Sequence, residues 1–296
     1  MTDYEFYQLT KSRLEKMADL QDIPLSELQK YYSNTDQYCQ FYNDASLSEI
    51  SKIFAQMTFH MQNATMISNI VKFDKNYEFL KKITFNFVPD DFINHYSGAN
   101  RVDALVNDLR FNSNTQEGLV WNSSKSISKD AIAKRFANSL FECAEYLKNF
   151  KTKASVLNDL KSNANINNVD DLLAYFNSKI KTGFSVALTC DFLKEFDTCF
   201  EFLPKPDIHI KDVIITLKNK NENYYNSPKK ELELIKEVQT ITENINTELR
   251  TKGENEITVY QLDRMIWLVC TDNFFIHGNN VSSKKKYIDQ IKASRP

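Results

Sequence analysis

The chain has 296 residues, 42% hydrophobic and 26% charged, with a formal net charge of −2, enough apolar content for a core and without the basic excess of a passive nucleic-acid coat. Five scattered glycines, against an average usage of about 7%, exclude the clustered glycines of dinucleotide and P-loop phosphate cradles, and with only six prolines they disfavour a turn-dense β-fold. Five cysteines without a C-x-x-C exclude a disulfide framework, a zinc ribbon and a cysteine-held iron–sulfur cluster. No metal and no cofactor is expected, and a reducing, cytoplasmic setting fits.

Helical periodicity dominates in chain order. Residues 4–19 form an amphipathic helix. Pro24 opens a second one, running to about Tyr32. Ser46 and Glu49 have capping-box spacing ahead of a long apolar helix reaching about Phe73. Helices follow at 77–84, 89–95 and 100–111. The polar segment 112–128 reads as a loop, with Gly118 and Trp121 at its tip. Beyond it come helices at 129–150, 153–160 and 169–180. A tight turn at Lys181-Thr182-Gly183 leads into a helix over 184–196. A proline-punctuated link ends at Asp207 and starts another helix. Ser227-Pro228 begins a long charged helix to about Arg250, 257–275 is the last apolar helix, and 284–295 reads as a polar end. The fold class is all-α. No apolar run approaches the ~18 residues of a membrane span, and the polar start, Met1 to Glu5, is unlike a signal peptide.

The segment 169–217 carries the chemistry. Gly183 is suited to a positive φ and to close approach of a phosphate. The N–H groups entering the following helix lie at its positive end and make an anion site. Lys179 and Lys181 add charge nearby. The bland alternative is an ordinary αα-hairpin that uses one glycine. Asp207, after Pro206 at a helix start, is a natural N-cap, held ionised by the helix N–H groups. A plain cap is the alternative for it.

Ile180-Lys181-Thr182-Gly183-Phe184-Ser185-Val186-Ala187, followed by Lys205-Pro206-Asp207-Ile208-His209-Ile210, resembles the signature of the helix-hairpin-helix DNA glycosylase superfamily. The resemblance covers roughly 50 residues. It implies two helical subdomains flanking a cleft that receives a flipped base. On that reading 1–125 with 228–296 forms the outer subdomain and 126–227 the helix-hairpin-helix subdomain of one glycosylase-like domain. It also implies that Lys181, Thr182, Gly183 and Ser185 contact a DNA phosphate and that Asp207 is catalytic. The family's hairpin usually has two glycines, and only Gly183 is present. Bifunctional members place a lysine where this chain has Ser185, so the resemblance points to a monofunctional enzyme. Ala55-Gln56-Met57-Thr58 is similar to a family element whose glutamine approaches the DNA. A carboxylate beneath the sugar stabilises the oxocarbenium-like state or activates the water that captures it.

Gln56, His60, Trp121 and His209 are candidates for the base pocket. His60 lies among Met57, Phe59 and Met61, where a core-facing cluster is the alternative. Trp121 in a polar loop is suited to stacking on a base or to plugging the core. His209 is suited to orienting Asp207, to a phosphate contact or to a structural hydrogen bond. Asp263 beside Arg264 reads as a surface or interhelical ion pair of little worth, and Lys284-Lys285-Lys286 as a solvated tail. The expected function is removal of a damaged or modified base from duplex DNA by a monomer. The long region before the hairpin suggests a bulky, phage-type base and an antiviral role as one version. The alternatives are a helix-hairpin-helix protein that holds DNA without chemistry, and a helical scaffold with no nucleic acid.

Overall fold

In a computed structural model, residues 1–28, 40–63, 68–120, 127–271 and 283–294 are described. They are helical, with no named strand among them. In chain order the principal helices are α1 (Asp3–Asp19), α2 (Glu49–Gln62), α3 (Tyr77–Ile83), α4 (Pro89–His95), α5 (Arg101–Leu109), α6 (Ile127–Leu147) and α7 (Lys153–Asn163). They continue with α8 (Val169–Lys179), α9 (Val186–Phe196), α10 (Ile208–Leu217), α11 (Pro228–Thr251), α12 (Val259–Thr271) and α13 (Ser283–Ala293).

Local chemistry sets most of the ends. Thr2 and Glu5 form a reciprocal capping box at the start of α1. Ser48, not Ser46, caps α2 by accepting from the Ser51 N–H; Ser46 instead donates to Asp44. Helix α2 ends at Gln62, short of the expected Phe73. Pro89 and Pro228 each occupy a first turn, where a missing N–H costs nothing. The loop after α5 is tied by isolated bridges, Arg110 to Leu119 and Asn112 to Glu117.

The chain forms two compact units, Met1–Asp36 with Leu193–Pro296, and Gln37–Phe192. The sequence-based division placed its boundaries at 125/126 and 227/228 instead. The second boundary falls inside α9, most of whose side chains are buried.

In the first unit α1, α10, α11 and α12 enclose a core that includes Phe6, Leu14, Ile214, Val238, Leu262 and Ile266. The expected polar end is a packed helix. Tyr287 and Ile291 of α13 are fully buried in the same core, and the Tyr287 hydroxyl shares a 2.6 Å hydrogen bond with Thr10 Oγ1. Their i, i+4 spacing gives a narrow apolar stripe on an otherwise charged helix, enough to dock it.

In the second unit α2, α4 and α5 pack on α6. Phe92 of α4 bridges Phe54 of α2 and Phe141 of α6 at ring-centroid distances of 5.7 and 5.0 Å. Between α3 and α4, Phe85, Asn86 and Phe87 all adopt left-handed backbone, with φ of 55°, 57° and 52°. Each such non-glycine residue costs about 1–2 kcal/mol. The turn sends Phe87 into the core, where its fully buried ring offsets part of that cost.

Candidate active site

Helices α8 and α9 are joined by the short connection 180–185. Helices α8 and α9 meet through Phe176, whose ring lies 5.3 Å from Phe184 and 5.6 Å from Phe192. Thr189 Oγ1 adds a 3.2 Å hydrogen bond to Asn177. Gly183 has a φ of +85°, as a tight turn requires.

The turn faces inward, however. A Cβ on Gly183 would meet Ser139 Oγ at 2.3 Å and Ser139 Cβ at 2.6 Å, so glycine is demanded by packing on α6. The Thr182 N–H and hydroxyl both donate to Glu142 Oε2, at 2.7 and 2.9 Å. Two of the four expected phosphate contacts, Thr182 and Gly183, are therefore made within the protein, with a carboxylate in the anion's place. Lys181 and Ser185 remain exposed on the flanks of the turn.

Asp207 is the N-cap of α10. Its Oδ1 accepts from the N–H groups of His209 (2.8 Å) and Ile210 (3.1 Å). This leaves Oδ2 without a hydrogen bond among the described residues. The carboxylate is half-buried, and the next side chain, Ile208, is 65% exposed.

The loop leading to Asp207 is held firmly. Leu203, Pro204 and Pro206 are buried. Gln239 of α11 donates to the Phe202 carbonyl at 2.9 Å, and the Lys205 N–H donates to Asp263 Oδ2 at 3.1 Å. That same oxygen receives Lys194 Nζ at 2.5 Å, with the two side chains only 3% and 2% exposed. Asp263 is thus half of a buried interhelical ion pair, with Lys194 of α9 as its partner and not the neighbouring Arg264. Burial raises the Asp263 carboxyl above its ordinary pKa, and Lys194 pulls it back down. The spacing did hold the signal: Asp263 lies four residues after Val259 and three before Ile266, on the stripe that faces the core.

His209 is half-buried in the first turn of α10, and its Nδ1 has no hydrogen-bond partner among the described residues. Burial pulls its pKa down, Asp207 and Asp212 oppose this, and Lys284 and Lys205 reinforce it. Lys284 is no free tail residue. Its Nζ pairs with Asp212 at 2.6 Å.

Gln56 and His60 lie one turn apart on α2, 3% and 1% exposed. His60 Nδ1 stands 3.3 Å from Asp191 Oδ2 of α9, a residue far along the chain that no local spacing links to it. Gln56 Nε2 is a buried donor without a partner among the described residues. Gln56 and His60 belong to one compact unit, Asp207 and His209 to the other. Trp121 lies outside the described residues. Among the described residues no group of acidic, His and Cys side chains could hold a metal ion, and no helix is long and apolar enough to cross a membrane.

No protein-family model, no curated protein and no solved structure matches this chain.

Proposed function

We propose that the chain is a monofunctional DNA glycosylase that hydrolyses the N-glycosidic bond of a flipped damaged or modified base. The observation that carries this reading is the Asp207 carboxylate. One oxygen is pinned by two helix N–H groups, the other accepts no hydrogen bond among the described residues, and the supporting loop is clamped by Asp263 and Gln239. Such a carboxylate is oriented before any substrate arrives, as transition-state stabilisation requires.

In the reaction, the C1′–N bond breaks and positive charge builds on the sugar. The Asp207 carboxylate stabilises that charge and accepts a proton from the water whose oxygen bonds to C1′. The base departs with the bonding electron pair and is protonated, leaving an abasic site. Ser185 replaces the lysine that strand cleavage by a covalent imine would need. The DNA backbone is contacted by the exposed Lys181 and Ser185, since Thr182 and Gly183 serve the internal packing. Incubation with duplexes carrying alkylated, deaminated or hypermodified bases, followed by alkaline cleavage at abasic sites, tests the activity directly.

One observation favours a second reading, a helical protein with no nucleic-acid partner: Glu142 fills the anion position of the hairpin turn. A salt-dependent DNA-binding measurement separates the two readings.

A further inference from the structure

A cavity of about 520 Å³ opens in the second unit beside the hairpin, lined by residues of α5, α6, α7 and α8. Its volume falls within the range of about 300–1,000 Å³ typical of ligand sites. Every carboxylate on its wall is already engaged. Asp159 Oδ2 accepts from the hydroxyls of Tyr146 (2.9 Å) and Tyr175 (2.8 Å). Glu145 is paired with Arg101 at 3.2 Å and Lys148 at 2.5 Å. Glu142 takes the two donors of Thr182. The tyrosines stay neutral: burial and the Asp159 charge push Tyr175 up to about 12, and Tyr146 higher still.

The cations are disposed differently. Lys179 and Lys181 line the same cavity, are exposed, and have no carboxylate partner among the described residues. Lys179 Nζ sits 5.0 Å from the centre of the Tyr175 ring, which holds it over the cavity wall. Phe150 is half-buried on the wall, set edge-to-face on Tyr146 at 5.1 Å. The lining is formally balanced, with Arg101, Lys179 and Lys181 against Glu142, Glu145 and Asp159, but each carboxylate already accepts internal hydrogen bonds while the two lysine ammoniums lie open to an anion beside an aromatic surface.

We infer that this cavity binds a nucleoside monophosphate unit, its phosphate between Lys179 and Lys181 and its base against Phe150. The unit is either a free nucleotide or one nucleotide of a single strand, and the two have the same recognisable chemistry. Lys181 is shared with the proposed DNA-backbone contact, so the AMP arm, which involves neither DNA nor base release, is the one that separates the two ideas.

The test is calorimetric titration of the full chain with AMP, inorganic phosphate and a five-residue oligodeoxyadenylate. AMP or the oligonucleotide should bind saturably and more tightly than phosphate. Lys179→Ala with Lys181→Ala should weaken binding at least tenfold, with thermal unfolding unchanged because both side chains are exposed. A tighter oligonucleotide identifies the strand as the source, and AMP binding equally or more tightly identifies the free nucleotide. Absence of saturable binding, binding no tighter than phosphate, or wild-type affinity in the double variant overturns the inference.

Discussion

The buried Lys194–Asp263 pair gives the sharpest test of how the Asp207 loop is held. Both side chains are almost fully excluded from solvent, and their charged atoms are 2.5 Å apart. Asp263→Ala removes the carboxylate that faces the buried Lys194 ammonium and the acceptor of the Lys205 N–H. Breaking a buried pair by removing one partner costs about 3–5 kcal/mol. At about 2–4 °C per kcal/mol for a chain this size, Tm should fall by roughly 6–20 °C. Lys194→Met strands the carboxylate and should cost a similar amount. The double variant Lys194→Met/Asp263→Leu buries no charge and should lie well above either single variant. Urea denaturation read by Trp267 fluorescence in a Trp121→Phe background reports on α12 specifically. Single variants each within about 1 kcal/mol of wild type, or a double variant equal to their sum, would refute the reasoning.

Two further outcomes rest on the same geometry. Gly183→Ala forces a side chain onto a φ of +85° and into Ser139, and should destabilise by about 2–5 kcal/mol; a variant as stable as wild type in denaturant would show that the turn does not rest on α6 as described. His209 has its pKa depressed by burial below the ordinary 6.5, so the neutral form is favoured by folding. That contribution is present above 6.5 and is lost as pH falls through the lower folded-state value. Urea midpoints should therefore drop between about pH 7.5 and 5, with a shallower drop in His209→Gln, and an identical slope in the variant would contradict the assignment.

The all-α class and most helix positions were legible because apolar spacing and end signals agree there. Pro89–His95 is found as expected, and Val169–Lys179 and Pro228–Thr251 to within a residue or so. The capping role of Asp207 was equally legible, since Pro-Asp before an apolar helix carries its own geometry. What could not be read was how surfaces face. Gly183 looked available to a phosphate because the chain alone does not reveal Ser139 and Glu142, some forty residues earlier, pressed against the turn. Lys194 was not legible as the partner of Asp263 because 69 positions separate them. The docking of α13 was missed because two apolar residues among lysines make a faint stripe, visible only once Thr10 and Arg13 of α1 are known to lie beside Tyr287.

The central claim is that Asp207 performs chemistry and does not merely cap α10. Asparagine at this position keeps an acceptor oxygen for the His209 and Ile210 N–H groups, so the fold should survive with little change in Tm. The decisive measurement is base release from modified duplex DNA by wild type and Asp207→Asn at equal occupancy. The wild type should release the base and the variant should lose at least a hundredfold in rate, with DNA affinity retained. Release at the wild-type rate by Asp207→Asn, or none by wild type on any alkylated, deaminated or hypermodified base, would contradict it.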